Sequence, residues 1–418
     1  MHLELFYVLR CPYCGGRLDL VASMFHVTNG DVIDEGIIGC HCCIFPVVDG
    51  IPVLHLQPAA IAARQHIEEG HPKLALRAMV GLETDREAEA FEAVARSDQS
   101  TYREIVEALG PNFEGGYFLY RFSDPTYVVA QAVVRSVART VLAGKRRAVD
   151  VCGGSGHLTR ALLDLSAPPP VLADLYFPKM WLARRFTAPA CEPVCCDGNS
   201  PLPFARGGFG YAMCSDAFQY IWTKRQFVAE LTRLVVPRAS GHESGAVVIN
   251  HTHNQLTWSP SHGQPLSPAG YRDLYEAVAP RIFGEANLLA DVVGGGPLDL
   301  SRRESDEVLN ADPALTIVAS EHPGVFSRHP LEQATKAQGE FRVNPLYGAE
   351  VRDGQIHLRL RFPSPDYEDE YGACRQYLPD EATVPQDALR ALQAGGPPGK
   401  LADLLRRRVI VDLPKRYY

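Results

Sequence analysis

The sequence lacks the long apolar runs and the basic leader that mark membrane and exported proteins. Crossing a bilayer takes about 20 consecutive apolar residues, and no run approaches that length. The start, MHLELFYVLRCPYC, has neither a basic segment nor a long apolar core, and no internal repeat is visible. With 418 residues, 46% hydrophobic and 22% charged, the chain can bury a large core in two or three domains. We expect a soluble cytoplasmic protein without membrane contact.

An excess of positive charge is also absent. The chain carries 41 Lys and Arg against 49 Asp and Glu, a net charge of -8. Residues 1–57 hold only Arg10 and Arg17 as basic residues against six acidic ones. Because proteins that modify structured RNA usually present a basic surface to its phosphates, the charge disfavours a nucleic-acid partner and favours a small-molecule substrate.

Cysteine, in contrast, is present at 11 positions. Two close groups stand out, Cys11-Pro12-Tyr13-Cys14 and Cys40-His41-Cys42-Cys43. Each group can present two thiolates from one tight turn, and four converging thiolates suit tetrahedral zinc. We predict a closed, structural Zn²⁺ site. Its predicted ligands are Cys11, Cys14, Cys40 and Cys43, with His41 and Cys42 as alternative ligands and free buried thiols as the alternative to a metal.

A glycine-rich turn follows a predicted strand near the middle of the chain, in AVDVCGGSGH at residues 148–157. Gly154 and Gly156 allow a sharp turn and a close approach to a ligand, and residues 158–165 continue with helical spacing. This pattern predicts a nucleotide-like cofactor bound over a helix N-terminus. A tight turn in an α/β core without a ligand is the alternative.

Acidic or polar residues stand where the next predicted strands end. Asp174 closes the strand at residues 171–174, Asp197 follows the strand at 193–196, and Ser215 follows the strand at 209–214. In open parallel sheets, ligands bind beyond the carboxyl ends of the strands, and an acidic residue at the end of the second strand binds ribose hydroxyls. Asp174 is therefore the best candidate for ribose binding.

In order and spacing these segments resemble the motifs of class I S-adenosylmethionine-dependent methyltransferases, closest to the ubiquinone-biosynthesis-like branch. The segments are AVDVCGGSGHLTRALL, VLADLY, CCDGNSPLPFARGGFGYAMCSDAFQYI and FVAELTRLVVP, within residues 147–250. The resemblance implies S-adenosylmethionine as cofactor and assigns a role to each motif. It places Asp150 and the Gly154-Ser155-Gly156 turn at the methionine moiety, Asp174 at the ribose, Asp197 and Gly198 at the adenine, and Ser215 and Asp216 beside the transferred methyl group.

Three residues depart from the pattern of that family. Cys152, which we also count among the cofactor-binding residues, stands at the first glycine of the usual GxGxG. Gly210 replaces an acidic residue, and Gln219-Tyr220 replaces a frequent histidine pair. Since Cys152 either tightens the turn or weakens cofactor binding, a regulatory or scaffold protein with a degenerate site is the alternative outside enzymes.

The N-terminal block is similar to the small zinc-ribbon partner that activates tRNA and translation-factor methyltransferases. The similarity lies in CPYCGGRL and GIIGCHCCIFPVVDGIPVL, within residues 5–56. Asp49-Gly50 between β-branched runs also predicts a hairpin. The resemblance implies an activator fused to its enzyme. It makes RNA or protein methylation an alternative function, which the charge opposes.

Two histidines follow the fifth predicted strand, residues 245–249, in the run Asn250-His251-Thr252-His253-Asn254. At a strand's carboxyl end they would lie on the ligand side of the sheet, where imidazoles can bind a polar substrate or take a proton from its nucleophile. We predict His251 and His253 as catalytic residues, with loop-supporting hydrogen bonds as the alternative. A second metal site here would lack a nearby carboxylate.

The predicted fold class is α/β, a Rossmann-like doubly wound methyltransferase sheet with three additions. These are the zinc ribbon (1–57), a helical linker or cap (58–126) with two or three helices before Gly110, and a small α+β extension (334–418) after the core (127–333), which carries substrate-side insertions. In the extension, residues 341–347 and 355–362 predict two strands around a turn at 352–354, and residues 401–408 predict a helix. The extension would complete the substrate pocket, form a homodimer contact or cover a sheet edge.

These features together predict a methyltransferase that uses S-adenosylmethionine and a small-molecule substrate, as in secondary metabolism. The methyl group would pass in line to an oxygen, nitrogen or carbon atom. Because the sulfonium is already activated, such an enzyme mainly needs to hold two reactants close and aligned.

Overall fold

The order of strands in the main sheet positions the candidate site, and the computed structural model of the protein shows that order directly. It describes residues 1–110, 115–142, 146–235, 244–259, 263–276, 278–331 and 337–418. The predicted boundary between core and extension, after residue 333, lies outside these residues. Within the same ranges, no helix has the length and apolar character needed to cross a membrane.

The N-terminal block folds as a five-stranded antiparallel sheet. Its strands are β1 (Asp19–Leu20), β2 (Val27–Asn29), β3 (Val32–Gly39), β4 (Ile44–Val48) and β5 (Ile51–Pro52), and β3 pairs with β1, β2 and β4. Between β4 and β5, Asp49 and Gly50 have φ values of 44° and 70°. Two successive residues at positive φ are what a two-residue hairpin turn requires, so the predicted hairpin is confirmed.

Four helices follow, where the sequence predicted two or three. They are α1 (Pro58–Glu68), α2 (Pro72–Val80), α3 (Asp85–Ala95) and α4 (Tyr102–Ala108). Thr84 and Thr101 cap α3 and α4, and each exchanges hydrogen bonds with the glutamate three residues later, Glu87 or Glu104. This Thr-x-x-Glu capping box is visible in the sequence and marks the helix starts that the hydrophobic spacing missed.

The main sheet reverses its strand order at β6. After α5 (Gly115–Phe118) and α6 (Pro125–Val141), its strands are β6 (Ala148–Val151), β7 (Val171–Asp174), β8 (Glu192–Cys195), β9 (Tyr211–Ser215), β10 (Ala246–His253), β11 (Arg281–Gly284) and β13 (Ala314–Ser320); β12 (Leu298–Asp299) lies outside it. The spatial order is β11-β13-β10-β9-β6-β7-β8. Strands β6 to β10 pair in parallel, and β13 is antiparallel to β10 and β11. In such sheets, ligands bind where the order reverses, here between β6 and β9.

Both faces of the sheet are buried, as continuous apolar strands predict. In β7, Leu172 belongs to one hydrophobic cluster and Val171 to another; in β10, Val248 and Val247 divide in the same way. The remaining helices of this region are α7 (Phe177–Leu182), α8 (Lys224–Val235), α9 (Pro268–Arg272), α10 (Glu285–Gly294) and α11 (Asp306–Ala311). Helix α6 contributes to the first cluster and α8 to the second. The predicted α/β class with a central parallel sheet is confirmed.

The helix predicted after the glycine loop is replaced by a short 3₁₀ helix, Thr159–Leu162. The Thr159 hydroxyl donates to Asp150 Oδ2 at 2.6 Å, and the Arg160 guanidinium reaches Asp412 at 2.9 Å. These tertiary contacts compete with regular helical geometry in this segment. The helix predicted over residues 158–165 is thus shortened to a 3₁₀ helix, and a ligand over its N-terminus stays a prediction.

The N-terminal block continues the main sheet at its β8 edge. The backbone N–H of Leu54 donates to the Cys195 carbonyl at 2.7 Å, and Val53 forms a parallel bridge with Cys195. From α7, Trp181 Nε1 donates to Asp49 Oδ2 at 2.6 Å. Block and sheet thus share backbone pairing and a common core.

The C-terminal region adds small antiparallel sheets. Its elements are β14 (Arg328–His329), β15 (Glu340–Val343), β16 (Tyr347–Arg352), β17 (Gln355–Leu360), α12 (Pro365–Tyr371), β18 (Glu381–Pro385), α13 (Gln386–Gln393), α14 (Ala402–Arg406) and β19 (Ile410–Leu413). The predicted turn is present, but the partner of β17 is β16, while β15, in the segment predicted as that partner, pairs with β19. The predicted terminal helix is confirmed as α14.

The chain's last residues pack beneath the glycine loop. Tyr417 is buried, and its hydroxyl lies 2.7 Å from His157 Nε2 and donates to the Phe118 carbonyl at 2.6 Å. Its ring also stacks on Tyr102, with centroids 4.6 Å apart. The tail therefore ties the helical segment to the turn that follows β6.

Replacing Tyr417 by Phe should keep the ring packing but leave a buried carbonyl and a buried imidazole N–H without this partner. We expect the free energy of unfolding to fall by about 1–3 kcal/mol, measured by urea denaturation. Tyr7→Phe is the control, because Tyr7 is 79% exposed. Equal losses in both variants would contradict the structural role of the Tyr417 hydroxyl.

Candidate functional site

The turn after β6 needs its glycines for steric reasons. Gly154 and Gly156 have φ values of 54° and 72°. A Cβ on Gly153 would come within 2.6 Å of the Asp150 carboxyl, and one on Gly156 within 2.9 Å of Ala183 Cβ. The glycines therefore let the loop pack closely against Asp150 and Ala183.

Cys152 shares this unusual geometry although it carries a side chain. Its φ is 62°, a conformation that costs a residue with a Cβ roughly 1–2 kcal/mol, which explains why a glycine would be favoured there. Its sulfur packs against the loop after β8, since a Cβ on Gly198 would lie 3.1 Å from Cys152 Sγ. The predicted cofactor residues Cys152 and Gly198 are thus brought together.

Asp174 clamps the glycine loop to the end of β7. Its Oδ2 accepts the Gly154 N–H at 2.9 Å, and its Oδ1 accepts the Tyr176 N–H at 2.8 Å. Burial raises the pKa of this carboxyl, against the lowering effect of those hydrogen bonds and of Lys179. Each carboxylate oxygen can accept more than one hydrogen bond, so Asp174 can hold the loop and still bind a hydroxyl.

Asp150 lies deeper, with 1% of its surface exposed. Its Oδ2 accepts the Thr159 hydroxyl, while its Oδ1 has no partner among the residues that the structure describes. Burial, reinforced by the charge of Asp174, raises the pKa of Asp150 to about 7. The same part of the structure leaves Ser215 Oγ and both amide atoms of Asn250 without partners. Buried polar atoms of this kind call for a ligand or water, and these belong to β6, β9 and β10.

Asp197 stands at the end of β8 beside the N-terminal block. Its Oδ1 accepts the Asn199 N–H at 2.8 Å. It lines a cavity of about 240 Å³ together with Cys196 from the main sheet and Tyr13 and His55 from the block. The predicted adenine end of the site thus borders the N-terminal block, which the sequence did not indicate.

Both predicted catalytic histidines meet Asp216 at the ends of β9 and β10. One ligand atom from each of Asp216, His251 and His253 lies within 4.8 Å of the other two. Asp216 and His251 have φ values of 55° and 47°, and His251 occupies a register shift between Ile249 and Thr252. The structure supplies the carboxylate that the sequence reasoning did not find near the histidines.

Glu285, which the sequence reasoning missed, fixes the orientation of His251. His251 Nδ1 lies 2.7 Å from Oε2 of Glu285, and the His251 backbone N–H donates to Oε1 at 2.8 Å. The Thr316 hydroxyl donates to the same Oε1 at 2.8 Å. No local motif marks Glu285, because the contact depends on how β10, β13 and α10 pack.

The two histidines have opposite pKa shifts. Burial alone would lower the pKa of His251, but the carboxylates of Glu285 and Asp216 outweigh it and raise that pKa to about 9. Burial and the neighbouring His251 lower the pKa of His253. Environments that separate two titratable groups in this way are typical of acid–base sites.

Two further residues that bind Asp216 come from the segment before α6. The Tyr117 hydroxyl donates to Asp216 Oδ2 at 2.7 Å, and Arg121 Nη2 lies 3.2 Å from the same oxygen. Burial would raise the pKa of Asp216, but Arg121 and the histidines hold it below its usual value. Arg121 is itself buried and also faces Asp124 at 3.7 Å.

Three of the four predicted zinc ligands converge in the N-terminal block. The sulfurs of Cys11, Cys14 and Cys40 lie within 4.8 Å of one another, and Cys43 is outside this group. Cys14 and Cys40 are 3.6 Å apart, and Gly15 turns the first pair with a φ of 72°. Burial would raise the pKa of Cys40, but hydrogen bonds from the backbone N–H groups of Cys42 and Cys43 help lower this pKa to about 7. This cluster is compatible with zinc, and the fourth ligand stays a prediction.

No protein-family model matches the sequence, and no curated protein matches it significantly. Among solved structures, the chain is similar to the YcgJ protein of Bacillus subtilis, with 17% identity, 46% of this chain and 98% of that chain covered, and a TM-score of 0.32. It is also similar to an S-adenosylmethionine-dependent methyltransferase of Mesorhizobium loti, with 13% identity, coverages of 47% and 98%, and a TM-score of 0.33.

A third similar structure is a complex that contains the Haloferax volcanii Trm112 methyltransferase activator, with 18% identity, coverages of 46% and 88%, and a TM-score of 0.33. Several of these neighbours carry methyltransferase in their names. TM-scores this low carry no argument about function, which must therefore be inferred from this chain's own residues.

Asp150 should make stability depend on pH. Its folded-state pKa of about 7 lies above the usual value, so its contribution to stability is present at low pH and is lost as the pH rises through about 7. Asp150→Asn should reduce the fall in free energy of unfolding between about pH 5 and pH 8 by on the order of 1 kcal/mol or more. Urea denaturation across this pH range measures the free energy of unfolding, and Asp98→Asn, at an exposed position, is the control. Superimposable wild-type and Asp150→Asn profiles would refute it.

Metal analysis tests the cysteine site. Cys11→Ser should lose about one zinc ion per chain, because three thiolates bind zinc less tightly than four. Cys43→Ser should lose the same ion and Cys42→Ser should retain it. Loss in Cys42→Ser with retention in Cys43→Ser would assign the fourth position to Cys42 instead.

Proposed function

We propose that this chain is an S-adenosylmethionine-dependent methyltransferase that acts on a small molecule. One observation carries the proposal: at the strand-order reversal, Asp174 holds the glycine loop while a buried Asp150 oxygen lacks a partner in the described part of the chain. A glycine loop flanked by two carboxylates fits a cofactor with a ribose and a cationic amino group.

Each loop of the site then has a part of the cofactor to bind. Asp150, Cys152, Gly154 and Gly156 would hold the methionine moiety, and Asp174 the ribose. The remaining candidates lie at the ends of later strands: Asp197 and Gly198 would hold the adenine, and Ser215 the region of the methyl group. When bound, S-adenosylmethionine supplies an electrophilic methyl group on a sulfonium.

His251 and His253 would serve the methyl acceptor, an oxygen, nitrogen or carbon nucleophile. His253, with its lowered pKa, is suited to accept a proton from an acceptor group at neutral pH. His251, fixed by Glu285, is suited to donate a hydrogen bond. Tyr117 and Arg121 hold Asp216 and so keep this group in place. Holding two reactants aligned supplies several kcal/mol of barrier lowering in such reactions.

A small, polar acceptor fits this site better than a nucleic acid. The net charge is -8, and the aromatic residues of α5 lie against the strand ends through Tyr117. All eleven cysteines lie outside disulfides, as is usual in a reducing compartment such as the cytoplasm. Methylation of RNA or protein is the second candidate, favoured by the N-terminal block that pairs with β8.

A non-catalytic role is the remaining alternative, favoured by the strained Cys152 and by the missing α-helix after the loop. Isothermal titration calorimetry with S-adenosylmethionine separates these cases. Wild-type protein should bind it, and Asp174→Ala should weaken binding at least about tenfold, since a tenfold change corresponds to about 1.4 kcal/mol and a lost charged hydrogen bond exceeds that.

Asp312→Ala is a matched control for Asp174→Ala. Asp312 is also buried and also accepts two backbone N–H groups, from Ala286 and Ala314, but it lies away from the glycine loop. The Asp312→Ala variant should bind S-adenosylmethionine as tightly as wild type does. Absence of binding by zinc-loaded wild type would reject the methyltransferase. If binding holds, transfer of a labelled methyl group to a metabolite library identifies the acceptor, and transfer only to RNA or protein would select the second candidate.

A further inference from the structure

Asp216, His251 and His253 form a cluster whose side chains come from two different strand ends. Their ligand atoms lie within 4.8 Å of one another, and the imidazole rings of the two histidines meet edge to face, 5.4 Å between centroids. Two imidazoles and one carboxylate in contact are a common way to hold a divalent transition metal.

We propose that Asp216, His251 and His253 bind a divalent transition-metal ion, and that this ion, in place of direct contacts with the two imidazoles, binds the oxygen of the methyl acceptor. The second half of the proposal rests on the proposed methyltransferase function, and the first half does not. The site is separate from the cysteines of the N-terminal block, so the chain would hold two metal ions of different ligand chemistry.

The neighbours of the two imidazoles are those that metal-bound histidines have. In metal sites, a ligating histidine usually donates its other ring N–H to a carboxylate or a similar group, which fixes its orientation. His251 Nδ1 lies 2.7 Å from Glu285 Oε2, and His253 Nδ1 lies 2.9 Å from the Ser259 hydroxyl. Both contacts use Nδ1, so each ring is held through one nitrogen as the imidazoles of metal sites are.

The two carboxylate oxygens of Asp216 also differ in their contacts. Oδ2 accepts the Tyr117 hydroxyl and faces Arg121, whereas Oδ1 has a long contact of 3.3 Å with Gln219 Nε2. Oδ1 is therefore the oxygen for the metal. Three protein ligands leave open positions for a substrate or water, as catalytic metal sites require.

Two residues of the cluster also have strained backbone conformations. Asp216 and His251 both lie in the left-handed region, and His251 interrupts the register of β10 with β13. Residues with a Cβ pay on the order of 1–3 kcal/mol for such conformations, which cluster at active sites and ligand clamps. The register shift thus lies at the residue that contacts Asp216.

The charges around the cluster favour a cation. With both histidines neutral, as ligation requires, Asp216 and Glu285 carry negative charge against the single guanidinium of Arg121. A divalent ion offsets the negative charge and places positive charge at the open position. That charge would lower the pKa of a bound hydroxyl, enol or phenol, whose proton passes to solvent. The acceptor class is therefore a small molecule with an ionisable oxygen.

Metal binding is measured on the full-length protein, without a methyl acceptor. Wild type stripped with chelator, reloaded with Zn²⁺ and desalted should hold about one more ion per chain than His253→Gln. Glu285→Gln should weaken this ion about 10- to 100-fold, because it removes only the orienting carboxylate. His329→Gln is the matched control, since His329 is buried and its imidazole bonds to Val325 and Ser327, away from Asp216; this variant should bind metal like wild type.

Cobalt spectra provide a second measurement that does not depend on a variant's folding. Thiolate-bound Co²⁺ adds a strong near-ultraviolet charge-transfer band to its visible bands, whereas nitrogen and oxygen ligands give visible bands alone. Titrated wild type should take up two Co²⁺ ions, of which only one adds to the near-ultraviolet band. A wild type that binds Co²⁺ solely through thiolates overturns the proposal.

Calorimetry with S-adenosylmethionine distinguishes the failure of this proposal from failure of the methyltransferase. Cofactor binding without the second metal rejects the metal site and leaves the enzyme. If the second metal binds but S-adenosylmethionine does not, the metal site stands and its proposed use in methyl transfer is rejected. Once an acceptor is known, Zn²⁺, Co²⁺ or Mn²⁺ can be added to metal-stripped Cys11→Ser protein. A rise in methyl transfer would support both the metal site and its role in the reaction.

Discussion

The reversal of strand order at β6 is the constraint on which the candidate site depends. Parallel strands bring their carboxyl ends to one edge, so residues far apart in the chain, such as Asp150, Asp174 and Ser215, share one rim of the sheet. The chain leaves β6 toward β7 and later returns to β9 on the other side, and ligands in such sheets bind where the loops diverge in this way. The glycine loop follows β6, and the histidine cluster lies at the ends of β9 and β10.

The segments outside the sheet hold this rim in place through buried polar contacts. Arg121 and Tyr117 bind Asp216, Tyr367 from α12 binds Asp124, and Tyr417 connects His157 with the helical segment. Since Arg121, Asp124 and Tyr417 are buried, losing a partner would leave each of them unsatisfied at a substantial cost. The helical segment and the C-terminal region are thus one cooperative support for the site, although the sequence divides them into separate blocks.

What the sequence could predict was local. Short apolar runs predict buried strands, a glycine-rich segment predicts the loop, and the dipeptide Asp49-Gly50 predicts a hairpin. Each of these signals depends only on residues that are neighbours in the chain. The contact of Glu285 with His251 depends on the register of β10, β13 and α10, which no local pattern records. The same holds for Asp216, which was assigned to the methyl group but not to the histidines. The 3₁₀ helix after the loop escaped prediction because tertiary contacts of Thr159 and Arg160 override helical spacing.

The bridge between Val53 and Cys195 has a consequence for the chain as a whole. Strand β8 ends the order of the main sheet, and an unprotected edge strand offers its backbone groups to any other chain. The N-terminal block supplies the missing neighbour from within the same polypeptide, at a fixed local concentration that no dilution can reduce. A protein built this way protects this edge strand at every expression level, whereas an edge covered by a separate subunit is exposed whenever that subunit is scarce.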